Sequence, residues 1–320
     1  MNKLLVILGP TSTGKTDLAL QLAHKFSGEL ISVDSRQLYK SLDIGTGKIP
    51  QLTFTKRHLA KKNRFWEIDG IKVWMYDVVN PEQQYTVADY IKDAKKVIRN
   101  IQRRDKLPIV VGGTGLYIKA LLYGFSSLSI PVDWKLRKKL EQLSTTQLQE
   151  KLKNLSPKKW NSLNHSDGQN PRRLVRAIEL ELGKGNQVIP DLRSQGLVKE
   201  FHILKIGLTT QRKILYERAD KSVINRIKAG MISEAKELHK NGLSFKRMRQ
   251  LGLEYRVLAD FLERKIETRD KLLKILQGKI HGYIRRQSTW FKKEKDTNWF
   301  DITTSDYLNI IENLVSDWYN

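Results

Sequence analysis

Lys3-Leu4-Leu5-Val6-Ile7-Leu8-Gly9-Pro10-Thr11-Ser12-Thr13-Gly14-Lys15-Thr16 is the stretch that decides how the chain folds. Residues 3–8 form a continuous apolar run, the pattern of a strand buried on both faces in a parallel sheet. The next eight residues fit G-x-x-x-x-G-K-[ST]. In such a loop glycines let backbone N–H groups turn inward around phosphate oxygens. A helix is predicted over residues 15–26, and its N-terminus adds positive potential at the same place. Lys15 supplies a mobile cation for a terminal phosphate, and the Thr16 hydroxyl suits a Mg²⁺ ligand. Gly9, Pro10, Thr11, Ser12, Thr13, Gly14, Lys15 and Thr16 are therefore expected to bind a polyphosphate. The loop leaves the reaction open, because nucleotide kinases, ATPases and diphosphate-dependent transferases can all use it.

Outward from the loop, strands and helices alternate. Leu30-Ile31-Ser32-Val33 reads as a second strand ending at Asp34, and residues 73–78 as another, stopped by Asn80-Pro81. Residues 86–103 read as a helix. Ile109-Val110-Val111 is a strand running into Gly112-Gly113-Thr114-Gly115, with a helix after it. Residues 45–72 have weak periodicity and receive no element. The alternation predicts an α/β fold, a P-loop NTPase-like parallel sheet flanked by helices. The pattern changes near Gly124. Residues 125–133 are Ser-rich with Pro131, a hinge, and residues 133–182 read as short, highly charged helices. Gly183-Lys184-Gly185-Asn186 and Pro190 mark a second break. Residues 201–207 restore a strand, and helices dominate from Thr209. The expected organisation is a core made of residues 1–124 and 200–320, with an all-helical insertion at 125–199.

Composition narrows the partners. Lys and Arg number 58 against 34 acidic residues, a formal net charge of +24. That surplus opposes compactness through self-repulsion and points to a polyanion, nucleic acid before an acidic membrane surface. The absence of cysteine excludes disulfides and thiolate metal sites and suits a reducing cytosol. No stretch approaches ~18 uncharged apolar residues, so no membrane span is expected.

Asp34 lies about 20 residues beyond the loop at the end of an apolar strand, where a carboxylate stands beside the phosphate site. It can serve as a Mg²⁺ ligand or merely as a cap for Ser35-Arg36-Gln37. The strand over 109–111 ends without a carboxylate. Its glycines permit close backbone approach, and Thr114 offers a hydroxyl beside it. Residues 9–16, Ile31-Ser-Val-Asp-Ser-Arg-Gln-Leu-Tyr-Lys40 and Asp43-Ile-Gly-Thr-Gly-Lys48 together resemble the opening of tRNA dimethylallyltransferases. The likeness continues through Val111-Gly-Gly-Thr-Gly-Leu-Tyr-Ile-Lys-Ala120 and Arg172-Arg-Leu-Val-Arg-Ala-Ile-Glu179. It extends through Leu251-Gly-Leu-Glu-Tyr-Arg256 to Arg285-Arg-Gln-Ser-Thr-Trp-Phe-Lys292.

The resemblance implies a dimethylallyl diphosphate donor, a tRNA acceptor modified at the adenine immediately 3′ of the anticodon, and Mg²⁺. An adenine amine is a weak nucleophile, so the site must hold it near the allylic carbon, accept a proton and stabilise the leaving diphosphate. Asp34 is the expected proton acceptor, with Thr114 positioning the amine and Thr11 to Thr16 gripping the diphosphate. By the same resemblance Asp34, Ser35, Arg36, Gln37 and Thr114 face the anticodon loop, as do Arg249, Tyr255 and Arg256. Arg137 and the run Arg172, Arg173, Leu174, Val175 and Arg176 are expected to meet RNA too. Asn170-Pro171 is a good helix start, and arginines in a first turn favour a bound anion; a salt bridge from Arg176 to Glu179 is the competing reading. Arg286 stands in the terminal basic-aromatic block, whose Trp290 and Phe291 suit a helix core better than a base clamp.

The match departs at Ser222, where the family carries an arginine directed at the diphosphate. Either Arg218 or Arg226, one turn to either side, is expected to substitute. Val73-Trp74-Met75 stands where many members have paired histidines. Lacking cysteine, the chain cannot build the zinc finger that eukaryotic relatives append. Two rival readings remain: a P-loop kinase of a nucleotide or small molecule, and an RNA-binding module with a relic loop. The expected enzyme is a cytoplasmic monomer with no membrane partner.

Overall fold

The computed structural model describes residues 2–49, 58–125, 130–183 and 196–320. Its centre is an eight-stranded mixed sheet. The strands are β1 (Lys3–Leu8), β2 (Gly28–Ser32), β3 (Leu59–Lys61), β4 (Phe65–Ile68), β5 (Ile71–Trp74), β6 (Leu107–Gly112), β7 (His202–Thr209) and β8 (Asn298–Asp301). They lie in the order β3-β4-β5-β2-β6-β1-β7-β8. From β5 to β8 every neighbouring pair is parallel. β1 and β6 read as apolar runs because both faces are covered. Leu5, Ile7, Leu30, Ile109, Val111, Ile206 and Leu208 share a core with Leu18, Leu22, Ile311 and Val315 of the helices α1 (Lys15–Lys25) and α14 (Tyr307–Tyr319).

The sheet is not wholly parallel, contrary to expectation. β3, β4 and β5 form an antiparallel ribbon at one edge. The strand expected over residues 73–78 ends at Trp74, because Met75 and Asp77 take left-handed backbone (φ 68° and 54°) that interrupts strand geometry. Asp77 instead accepts hydrogen bonds from the Lys48 ammonium and the Trp66 indole.

The remaining helices are α2 (Val87–Gln102), α3 (Gly115–Tyr123), α4 (Trp134–Leu140), α5 (Thr145–Leu155), α6 (Pro157–Asn161), α7 (His165–Gly168), α8 (Pro171–Gly183), α9 (Arg212–Lys228), α10 (Met231–Lys240), α11 (Phe245–Met248), α12 (Leu253–Leu262) and α13 (Arg269–Phe291). The chain divides into two compact units. One comprises Met1–Leu122 with Glu200–Asn320 and holds the sheet; the other is Tyr123–Lys199. The second unit has its own core of Leu140, Leu148, Leu152, Leu174, Val175 and Ile178. The break read at Lys184 to Pro190, and residues 126–129 of the hinge, lie outside the described residues. Among the described residues no helix is long and apolar enough to cross a membrane.

Candidate functional site

Three adjacent parallel strands, β2, β6 and β1, deliver the chemistry-bearing residues from their C-terminal ends. The end of β1 feeds the loop 9–16. Gly9 takes φ 139° against the backbone of Leu208, Ser12 takes φ 68°, and Gly14 takes φ 84° to start α1. Within the loop the Thr13 hydroxyl donates to Pro10 O at 2.9 Å. Lys15 Nζ donates to the same carbonyl at 2.5 Å and approaches Thr13 Oγ1 at 3.3 Å. The ammonium therefore lies inside the cradle that its own loop makes. Burial lowers its pKa to about 7, against the opposing pull of Asp34.

Asp34 follows β2. Its Oδ1 accepts the Arg36 N–H at 2.8 Å. Burial nevertheless outweighs that bond and the Arg36 charge, and raises the carboxyl pKa above its ordinary value. Thr114 follows β6; its backbone N–H meets Val33 O at 3.3 Å, and its hydroxyl accepts the Ser35 N–H at 3.2 Å. Asp34 and Thr114 thus stand side by side, with Lys15 close enough to feel the Asp34 charge. Tyr283 of α13 lies near this pair, and burial together with the Asp34 charge keeps its phenol protonated.

The glycines of residues 112–115 answer to protein neighbours rather than to a ligand. A side chain on Gly112 would meet Val33 O at 2.8 Å, one on Gly113 would overlap Gln287, and one on Gly115 would overlap the Trp290 indole. Gln287 is buried, at 6% exposure. Its Oε1 accepts the Thr11 N–H at 2.9 Å and its Nε2 donates to Gly113 O at 2.9 Å. The sequence reading gave Gln287 no role. The available signal was a polar residue within the buried stripe Leu276, Ile280, Ile284, Gln287, Phe291 of α13. Phe291 is buried, as its helical spacing suggested.

A second missed residue, the carboxylate of Glu234, supports residues 43–48. Glu234 accepts the N–H groups of Asp43, Ile44 and Gly45 at 2.9, 2.8 and 2.9 Å, and the Tyr255 hydroxyl at 2.5 Å. Lys48, wholly buried, ties Asp43 and Tyr39 O to Asp77. Gln37 belongs to this scaffold as well: Ser32 Oγ donates to its Oε1 at 2.7 Å, and its Nε2 donates to Gly47 O at 3.3 Å.

The two candidates to replace the family's arginine at Ser222 separate. Arg218 reaches the loop, its Nη2 lying 3.7 Å from where a side chain on Gly14 would begin. Arg226 instead donates to Gly45 O at 2.6 Å and pairs with Glu254 at 3.3 Å. It braces residues 43–48.

The residues expected to face RNA divide in the same way. In the second unit Glu179 is buried and receives Arg137 at 2.8 Å, Arg176 at 2.5 Å and the Asp133 N–H at 2.8 Å. Burial works against its ionisation, yet the two guanidiniums hold its pKa below the ordinary range. Arg137 and Arg176 are thus committed to an internal carboxylate. Leu174 and Val175 are buried in the core of that unit. Arg172 and Arg173 are exposed at the start of α8, where Asn170 caps the helix, and Arg173 pairs with Asp167. In the first unit Tyr255 is buried, and Arg249 pairs with Asp260 at 2.9 Å and with Glu263. Arg36 donates to Gln250 O at 3.2 Å. Arg256 and Arg286 are exposed, the latter lying 5.9 Å from the Tyr283 ring centre.

Comparison with known proteins agrees with this geometry. A family model described as IPP transferase matches residues 37–294. The tRNA dimethylallyltransferase of Halothermothrix orenii is 35% identical over 318 residues, covering 97% of this chain and 91% of the relative. The solved full-length tRNA isopentenylpyrophosphate transferase from Bacillus halodurans is similar at a TM-score of 0.69 and 31% identity, covering 99% of this chain and 96% of that one. A eukaryotic dimethylallyltransferase acting on tRNA shares the fold, with a TM-score of 0.76 at 23% identity, covering 100% of this chain and 80% of that one.

Proposed function

This chain belongs to the IPP transferase family, and on that premise we propose that it transfers a dimethylallyl group from dimethylallyl diphosphate to the adenosine immediately 3′ of the tRNA anticodon. It is an enzyme, a transferase that modifies tRNA. One observation carries the finer reading: the cradle 9–16, Thr114 and Asp34 follow three adjacent parallel strands at the same end, with Gln287 bridging Thr11 to Gly113 and the Ser35 N–H meeting the Thr114 hydroxyl.

The adenine N6 lone pair attacks the allylic carbon as the carbon–oxygen bond to the diphosphate breaks. One N6 proton passes to the Asp34 carboxylate, and the diphosphate leaves into the loop. A raised pKa suits Asp34 to that task, since a base works best near the operating pH. Thr114 holds the amine through its hydroxyl. The loop's N–H groups, Lys15 and the N-terminus of α1 face the charge that develops on the leaving group. Thr11, which opens the turn, keeps the leaving oxygen in line, and Arg218 serves where the family arginine would stand at Ser222.

Mg²⁺ fits the donor set. Among the described residues no group of three His, Asp or Glu side chains forms a cage. Mg²⁺ is commonly held by few protein oxygens plus substrate phosphates, and Thr16 would supply the hydroxyl. When bound it neutralises charge on the departing diphosphate. On the RNA side, exposed Arg172, Arg173, Arg256 and Arg286 are the direct contacts. Arg137, Arg176 and Arg249 act by holding their elements in place.

Purified protein incubated with unmodified tRNA, dimethylallyl diphosphate and Mg²⁺ should yield an adenosine heavier by one dimethylallyl unit after nuclease digestion and mass spectrometry. Unchanged adenosines, with the terminal phosphate of ATP passed to a small acceptor instead, would establish the kinase reading.

A further inference from the structure

We propose that Gln287 is a positioning residue that sets the distance between the leaving diphosphate and the attacking amine, by bracing the cradle 9–16 against the turn 112–115. The inference rests on the prenyl-transfer reading of the site. Gln287 joins segments remote in the chain, meeting Thr11 276 residues away and Gly113 174 residues away. Both partners are backbone groups of fixed polarity, since the Thr11 N–H can only donate and the Gly113 carbonyl can only accept. The bridge therefore requires one acceptor and one donor on the same planar group, which an amide provides and an ionised carboxylate or a thioether does not. There is no room for a substitute from the other side, because a side chain on Gly113 would overlap Gln287 Nε2.

The bridge extends at both ends. Thr11 opens the turn that holds the diphosphate. Gly113 precedes Thr114, whose hydroxyl takes the Ser35 N–H beside Asp34. One amide thus links the leaving-group cradle to the proton acceptor. A displacement of a fraction of an ångström between these loops alters the attack geometry without removing a binding group, so the loss should appear in kcat.

The experiment measures kcat and both KM values for dimethylallyl diphosphate and unmodified tRNA, with wild type, Gln287→Met and Gln287→Glu, between about pH 5 and 8.5. Gln287→Met should lower kcat about tenfold or more while each KM moves less than about threefold. Gln287→Glu should match it at high pH, where a carboxylate oxygen opposes Gly113 O. It should recover toward wild type as pH falls, because the protonated carboxyl again offers one donor and one acceptor. That acid rescue, read as the ratio of variant to wild-type kcat, is a response that simple loss of packing would not give. A Gln287→Met kcat within about twofold of wild type, or a flat Gln287→Glu ratio, overturns the proposal. If wild type leaves tRNA unmodified, the prenyl-transfer reading fails, and the brace is judged by amide hydrogen exchange. Faster exchange at Thr11 in Gln287→Met supports the brace, and unchanged exchange refutes it.

Discussion

Lys15 Nζ lies 2.5 Å from Pro10 O, so the cation occupies the position where a phosphate oxygen would compete for it. Burial has brought its pKa down to about 7, and an anion entering the loop reverses that shift by favouring the charged form. Binding must then take up a proton at any pH above about 7 and weaken as pH rises through that value. Calorimetry with inorganic diphosphate at about pH 8, in buffers of different ionisation enthalpy, should show this uptake, and Lys15→Met should abolish it. Equal heats in all buffers would contradict the assignment. Asp34 is shifted the other way. Its pKa is raised by burial, and as a base it works only when ionised, so the rate should climb with pH through that raised value. Asp34→Asn should lose about 10²–10⁴-fold in kcat. Its tRNA affinity, read by filter binding, should hold to within about threefold; a parallel loss of both would make Asp34 a binding residue. These groups were legible because a motif fixes their type and spacing. Gln287 and Glu234 were not, since their partners are backbone amides and carbonyls that only the tertiary fold brings within reach. Arg176 is read two ways from sequence, as an RNA contact and as a partner of Glu179; the structure shows that ion pair and adds Arg137 to it, while the burial of Glu179 is not visible in its spacing.

At the scale of elements, the parallel part of the sheet could be read directly. A strand covered on both faces favours an apolar run, and β1 and β6 are such runs, while β2 is wholly buried yet carries Glu29, which Arg104 neutralises. The ribbon at the edge was harder, because Lys61, Glu67 and Lys72 dilute the alternation of half-exposed strands. Its signal lay in the turn. Asp69-Gly70, with φ 51° and 79°, joins Phe65-Trp-Glu-Ile68 to Ile71-Lys-Val-Trp74 as a two-residue hairpin connection. β8 was missed because four residues with two exposed carry almost no pattern. Residues 43–48 look like a loop, yet they are held as firmly as a strand: Glu234 gathers three successive N–H groups, and Lys48 closes the other end. Glu234→Ala strips a charged acceptor from all three and should cost about 3 kcal/mol. Scanning calorimetry should record a Tm lower by several degrees, and Tyr255→Phe, which removes one donor to the same carboxylate, should cost less. An unchanged Tm in Glu234→Ala would mean that the loop needs no such clasp.

For the whole molecule, a net charge of +24 is a statement about a polyanion, but not every cation takes part in it. Lys48, Arg104, Arg137, Arg226 and Arg249 are bound to carboxylates of their own unit. Removing any of these takes a cationic partner from a carboxylate and should act through stability. The surplus that meets RNA must therefore lie in the exposed set, which includes Lys138 and Lys139 on α4. Each phosphate neutralised releases condensed counterions, so the association constant for tRNA should fall on a log–log plot against KCl with a slope of about −3 or steeper. The double variant Lys138→Ala, Lys139→Ala should make that slope shallower by about one unit and weaken all tRNAs alike. Arg137→Ala should instead lower Tm, because the buried Glu179 then keeps one guanidinium, that of Arg176, in place of two, and leave the slope of the folded fraction unchanged. The two kinds of cation are thus separated by two readouts, salt slope and melting midpoint. A tRNA affinity that barely changes with salt would mean that the charge surplus serves some other polyanion.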